Sequence, residues 1–234
     1  HFRPGAEVVG ATYHCHPGPG YRQLDIQDEA AVGRLLDAVV PSLVALPAAN
    51  PYVDQCELEP AATRRVNVTG TLGVARLCAA AGIPLIFFSS DYVFDGTKEI
   101  WTEQDNVCPL NEYGRQKAEA EAGVLGASAS NLVIRTAGAF GWQWEPKNFV
   151  LQVLSRLKAG GRIKVSNDVH YNPTFVENLA EVVVALAAAG AGGLFHVVGA
   201  DTFRRDEFAR LAAGAFGLDP AGVLGVSSDE FQAP

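Results

Sequence analysis

Pro84-Leu85-Ile86-Phe87-Phe88, followed directly by Ser89-Ser90-Asp91-Tyr92-Val93-Phe94-Asp95-Gly96, is the stretch that decides how this chain folds. An apolar run without alternation describes a strand buried on both faces, as found inside parallel sheets. The polar turn after it then falls at the carboxyl edge of the sheet, where open α/β sheets bind ligands. Upstream, residues 6–13, Leu24-Asp25-Ile26 and residues 42–49 read as short strands. Asp28 caps a helix carrying Ala31, Val32, Leu35, Leu36 and Val39 at helical spacing, and residues 60–81 read as one long helix with Val66, Leu72, Val74 and Leu77 on its apolar stripe. Downstream come a helix over 109–125, a strand over 131–136, a helix over 149–157, a strand over 162–165, a helix over 177–189, a strand over 193–198 and a helix over 206–216. Strands alternating with helices predict an α/β fold with a doubly wound parallel sheet. Residues 141–167 read as an excursion from that sheet, and no internal repeat or linker is visible.

Composition narrows the function classes. A chain of 234 residues can bury the core of one α/β domain with a small appendage. Its net charge of −8 argues against a nucleic-acid binder, which would carry a basic face. The basic doublets Arg64-Arg65 and Arg204-Arg205 read as solvated helix positions. Four cysteines without CxxC spacing fit free thiols in a reducing cytoplasm. The apolar stretch over 182–198 is interrupted by Gly190, Gly192 and Gly193, so it reads as a helix and a strand, and no membrane span or signal peptide is expected. Asn67-Val68-Thr69 matches a glycosylation acceptor, with nothing else pointing to export. The chain opens His1-Phe2-Arg3-Pro4 and contains no Met, where average usage gives roughly five. That predicts a partial sequence with a missing start.

Tyr113-Gly114-Arg115-Gln116-Lys117 opens the helix after the deciding strand. Residues four apart share a helix face, so the Lys117 ammonium is expected near the Tyr113 phenol, lowering a pKa of about 10 toward neutrality. The phenol can then exchange a proton with a carbonyl oxygen. Ser90, at the strand's carboxyl end, can hydrogen-bond that oxygen and stabilise developing charge. His14-Cys15-His16 offers two imidazoles on one strand face without a third ligand in register, so no metal is expected. Single His170 and His196 read as a loop and a core residue. Trp142 and Trp144 are candidates for lining a sugar or base, with packing under the excursion as the alternative.

These stretches resemble the extended short-chain dehydrogenases/reductases. Within them, the resemblance is to the dTDP-4-dehydrorhamnose reductases and the related regulatory β subunit of methionine adenosyltransferase. It is carried by residues 89–97, Glu103-Gln104-Asp105, residues 109–117 with Glu119 and Glu121, and Asn67-Val68-Thr69-Gly70-Thr71. Ile134-Arg135-Thr136, Phe140-Gly141, Asn148-Phe149-Val150 and Asn172-Pro173-Thr174 extend it over essentially the whole chain. The resemblance implies Ser90, Tyr113 and Lys117 as the catalytic set, with Tyr113 the acid/base. It implies cofactor contacts at Asp25, Ile26, Ala48, Ala49, Asn67, Ser89, Tyr113, Lys117, Arg135 and Thr136, and substrate contacts at Asp91, Tyr92, Trp142 and Asn148. The implied reaction is NADP(H)-dependent reduction of a keto group on a nucleotide-linked deoxysugar. NAD(H) is the alternative cofactor, and a non-catalytic NADP-binding regulatory subunit the alternative function. A sugar-nucleotide dehydratase is disfavoured, because Tyr92 stands where that chemistry wants a carboxylate.

The chain departs from the family pattern in several places. The glycine-rich loop between the first strand and first helix is missing. Thr12-Tyr13-His14 ends the second strand without an acidic residue, which favours NADP(H), with Arg22 the nearest later basic candidate. Leu46-Pro47 replaces the polar residue usually ahead of the Ala pair, and Ala137-Gly138-Ala139 replaces a substrate-contacting Trp. The chain also stops at Gln232-Ala233-Pro234, short of the closing segment. The expected division is a nucleotide-binding part over 1–141 and about 168–199, and a small substrate-binding part over about 142–167 and 200–234. The expected partner is a nucleotide sugar, with no nucleic acid and no membrane, and a homodimer as the assembly.

Overall fold

The computed structural model describes residues 7–13, 21–143 and 147–231. In chain order they form β1 (Gly10–Thr12), β2 (Tyr21–Gln23), α1 (Glu29–Val39), β3 (Val44–Leu46), α2 (Val53–Leu58), α3 (Pro60–Arg64), a π-helical turn (Arg65–Gly70) and α4 (Thr71–Ala80). Then follow β4 (Leu85–Ser90), α5 (Glu112–Ala127), β5 (Leu132–Thr136), β6 (Ala139–Phe140), α6 (Phe149–Lys158), β7 (Ile163–Ser166), β8 (His170–Tyr171) and β9 (Thr174–Phe175). The chain continues through α7 (Val176–Ala188), β10 (Gly193–His196), β11 (Phe203–Arg204), α8 (Arg205–Ala215) and β12 (Val223–Val226).

These elements cluster into two compact units. The first holds the described residues up to Arg135 together with Val183–His196; the second holds Thr136–Val182 and the described residues from Val197 on. Compared with the division expected from sequence, residues 136–141, 168–182 and 197–199 fall in the second unit.

In the first unit the strand order is β10-β5-β4-β3, with β3 parallel to β4 and β10 parallel to β5. This is the doubly wound α/β arrangement that the alternation predicts. β4 is one of the two inner strands and is buried at every position but Phe88. Phe87 and Leu85 pack with Val74, Ala75 and Cys78 of α4 and Ala120 and Val124 of α5 in one apolar core. Asn131 ties the sheet to that layer, accepting from Leu85 N at 3.0 Å and donating to Val124 O at 2.8 Å. β1 and β2 form a separate parallel pair, and all three residues of β2 are exposed. Among the described residues β1 pairs only with β2, and β3 only with β4.

Several expected elements are displaced. The strand expected at Leu24-Asp25-Ile26 lies at Tyr21–Gln23; Asp25 instead makes a turn, accepting from Gln27 N at 2.9 Å. The long helix expected over 60–81 is broken by the π-helical turn, whose wider winding changes the helix face exposed to its neighbours. Asp28 does cap α1, accepting from Ala31 N at 2.9 Å. Among the described residues no helix is long and apolar enough to cross a membrane.

The second unit has its own small core of Val153, Val165, Ala209 and Val223, around α6, α8 and the parallel pair β7–β12. The excursion read from sequence therefore contains a helix and a strand of this unit. A cleft of about 260 Å³ is lined in part by Phe140, Phe175, Phe203 and Phe208, and none of the sequence-predicted site residues lines it.

Candidate active site

Ser90 ends β4 and caps the short 3₁₀ turn Asp91–Val93, its hydroxyl accepting from Tyr92 N at 3.3 Å and donating to Asp91 Oδ1 at 2.9 Å. The first turn of α5 is brought against this turn by two local features. Asn111 caps the helix through Gly114 N at 2.8 Å. At Gly114 the backbone approach is so close that an added Cβ would lie 2.1 Å from the Tyr92 carbonyl oxygen. Only glycine permits that contact, and it seats Tyr113 beside Ser90. The Tyr92 ring meets the Tyr113 ring edge-on at 5.7 Å.

Lys117 lies one helical turn beyond Tyr113 and is 3% exposed. Its ammonium donates to Phe88 O at 2.7 Å and sits 4.4 Å above the Phe87 ring. Burial pulls its pKa down to about 8, opposed by the negative charge of Glu121. The expectation that the phenol is drawn down toward neutrality is corrected here. Burial, reinforced by the negative charge of Asp91, pushes Tyr113 up to about 12, while a hydrogen bond with Ser90 pulls the other way. The ammonium is held by the β4 carbonyl, and the phenol stays protonated at neutral pH.

The remaining first-unit candidates divide by whether their side chains are already engaged. Ala48 is exposed and Ala49 half-buried just beyond the carboxyl end of β3. Ile26 packs against Gly70, its Cγ1 3.0 Å from where a Cβ would stand. Asn67 is 1% exposed and its amide is fully used: Oδ1 accepts from Asn50 N at 2.7 Å, and Nδ2 donates to Asn50 O at 3.1 Å and Gln116 Oε1 at 2.9 Å. It shapes the segment after β3 through that segment's backbone. Arg135 is likewise spent, bound to Glu121 through two nitrogens. Ser89 is different. Its residue is 4% exposed, yet its hydroxyl has no hydrogen-bond partner.

In the second unit, Thr136 Oγ1 is also buried without a partner. Asn148 caps α6 through Leu151 N at 3.1 Å and donates to Gly141 O at 2.7 Å. Trp142 is 73% exposed and meets Phe216 edge-on at 5.8 Å. His14-Cys15-His16 and Trp144 lie outside the described residues; among those described, no cluster of three or more His, Cys, Asp or Glu is arranged to hold a metal.

Sequence reading missed Gly114, Asn50 and Gln116. Gln116 is fully buried and donates to Thr63 Oγ1 at 3.0 Å and to Glu112 Oε1 at 3.1 Å. Its signal was present: an amide on the buried face of a helix needs partners.

A parallel α/β sheet presenting Ser, Tyr and Lys at the carboxyl end of one strand defines an oxidoreductase of the short-chain dehydrogenase/reductase class. The chain belongs to the RmlD substrate binding domain family, whose pattern it matches over residues 5–234. It is 37% identical over 222 residues to a dTDP-4-dehydrorhamnose reductase of Mycobacterium tuberculosis, covering 91% of this chain and 71% of that protein. It is 32% identical to the methionine adenosyltransferase 2 subunit beta of Rattus norvegicus, covering 86% of this chain and 62% of that one. Among solved structures it resembles the dTDP-4-dehydrorhamnose reductase of Bacillus anthracis in complex with NADP. The TM-score is 0.85 at 29% identity, over 90% of this chain and 74% of that one.

Proposed function

We propose that this chain is an NADP(H)-dependent reductase of a keto group on a nucleotide-linked deoxysugar, of the dTDP-4-dehydrorhamnose reductase kind. The observation that carries this reading is the buried Tyr113 phenol, kept protonated beside Ser90 at the carboxyl end of β4, in a chain 37% identical to such a reductase. The residues present also fit the cofactor. Ser89 offers an unpartnered buried hydroxyl at the same strand end, and Ala48 and Ala49 offer side chains small enough for close approach. Ser89, Ala48, Ala49 and Lys117 would hold it, with Asp25 and Ile26 contributing beyond β2. NADP(H), when bound, supplies the hydride.

The chain's own residues handle the proton. Ser90, giving up its hydrogen bond to Asp91, donates instead to the substrate oxygen, orienting the carbonyl and stabilising charge that builds on it. Tyr113 donates its proton to that oxygen as the carbonyl carbon is reduced. The Lys117 ammonium stabilises the phenolate left behind. Asp91 and Tyr92, flanking this corner, would contact the sugar. The free thiols of Cys56, Cys78 and Cys108 fit a cytoplasmic setting.

The test is NADPH and NADH oxidation with a panel of dTDP-4-keto sugars. NADPH is expected to be preferred, and Tyr113→Phe is expected to reduce turnover by about 10²-fold or more while leaving cofactor affinity largely intact. Unchanged turnover in that variant would exclude Tyr113 as the acid. The likeness to the methionine adenosyltransferase β subunit supports a second reading, a nucleotide-binding regulatory subunit. Stoichiometric association with a partner enzyme, with no NADPH oxidation on any ketosugar, would decide for it.

A further inference from the structure

Glu121 takes no part in the proton transfer just described, yet it is 3% exposed and charged. It stands one turn beyond Lys117 on α5, as Lys117 stands one turn beyond Tyr113, so the three share a helix face. Its carboxylate is gripped at two points by Arg135 of β5: Nε to Oε1 at 2.9 Å and Nη2 to Oε2 at 2.7 Å. Arg135 is itself 5% exposed and lies 4.9 Å above the Phe94 ring, which stacks on Trp101 at 4.4 Å. The buried charges thus run ammonium, carboxylate, guanidinium. Glu103, which accepts from His196 N at 2.8 Å, also feels the charge of Arg135.

Stability gained by fastening β5 to α5 is a weak reason for this arrangement. A buried ion pair carries a desolvation cost that well-packed apolar side chains would avoid. The groups that face the Lys117 ammonium are Glu121 from its own helix, Cys56 from α2, and the Phe87 ring and Phe88 carbonyl from β4. Burial keeps the Cys56 thiol protonated. Glu121 is therefore the full negative charge among them at neutral pH.

We propose that Glu121 is a positioning residue for the proton-transfer machinery: its carboxylate, oriented by Arg135, keeps the buried Lys117 side chain an ammonium. The proposal rests on the reading of Lys117 as the partner of Tyr113, so its test is made on Lys117 directly, without substrate or cofactor. The side-chain resonances of isotopically labelled lysine are followed by NMR against pH in the full chain, with Lys117 assigned by its absence in Lys117→Met. In Glu121→Gln the midpoint is expected to fall by about 1 pH unit or more, the size of an adjacent opposite charge. Glu121→Asp is expected to restore most of it. Glu121→Gln/Arg135→Gln removes both buried charges, so no orphan guanidinium remains to unfold the protein. Its midpoint is expected to fall as well, by less, because Glu121 stands between Lys117 and Arg135. An unchanged midpoint in either folded variant overturns the proposal. Absent NADPH oxidation alongside the expected shifts would count against the reductase reading alone.

Discussion

The strand pairs β3–β4 and β1–β2 are both parallel, and they differ in what covers them. β4 packs against α4 and α5 and carries the candidate acid/base corner at its carboxyl end. β2 is exposed at all its positions, although the adenine side of a nucleotide is expected just beyond it. Parallel strands are ordinarily buried on both faces. The contrast teaches that the candidate acid/base corner is fixed by its own core, while among the described residues side-chain packing does little to hold β2.

Substituting the same residue type in the two places exposes this difference. Gly114→Ala is expected to have the largest effect, about 3 kcal/mol of lost stability in denaturant unfolding with a collapse of turnover, because the added methyl meets a backbone carbonyl that cannot step aside. Asn131→Ala comes next, about 2 kcal/mol, since it orphans the Leu85 N–H and the Val124 carbonyl inside the core. Gly10→Ala in β1 is the smallest. Its methyl would lie 2.7 Å from the Tyr21 ring, but that side chain is 59% exposed and can swing into solvent, so the expected change is within about 0.5 kcal/mol. If Gly10→Ala proved as costly as Gly114→Ala, the contrast between the two regions would fail.

Legibility in the sequence follows the same line. β4 and α5 could be read because an uninterrupted apolar run and a stretch rich in Ala and Glu are local signals that burial then reinforces. β2 was misplaced by one strand length: Tyr21-Arg22-Gln23 shows no alternation to mark it, and Leu24-Asp25-Ile26 looks more strand-like than the turn it makes. The π-helical turn was invisible, since Asn67 needs partners 17 and 49 residues away to hold that register. At the site, residue types make Ser90, Tyr113 and Lys117 candidates, but do not carry their electrostatics. Spacing alone brings the ammonium near the phenol; only burial and the Phe88 carbonyl show where it is held and why the phenol keeps its proton.

The unpartnered Ser89 hydroxyl has a consequence for molecular selection. A buried hydroxyl without a partner carries a standing penalty of about 1–3 kcal/mol. Any ligand seated against it with a suitable donor or acceptor removes that penalty, whereas one of the same shape without such an atom leaves it in place. Equal surface complementarity then yields roughly ten- to hundredfold unequal affinity. Discrimination of that size would come from a group that the protein's own side chains leave unsatisfied, and removing it as Ser89→Ala would make the strand end more tolerant of ligands without making it less well packed.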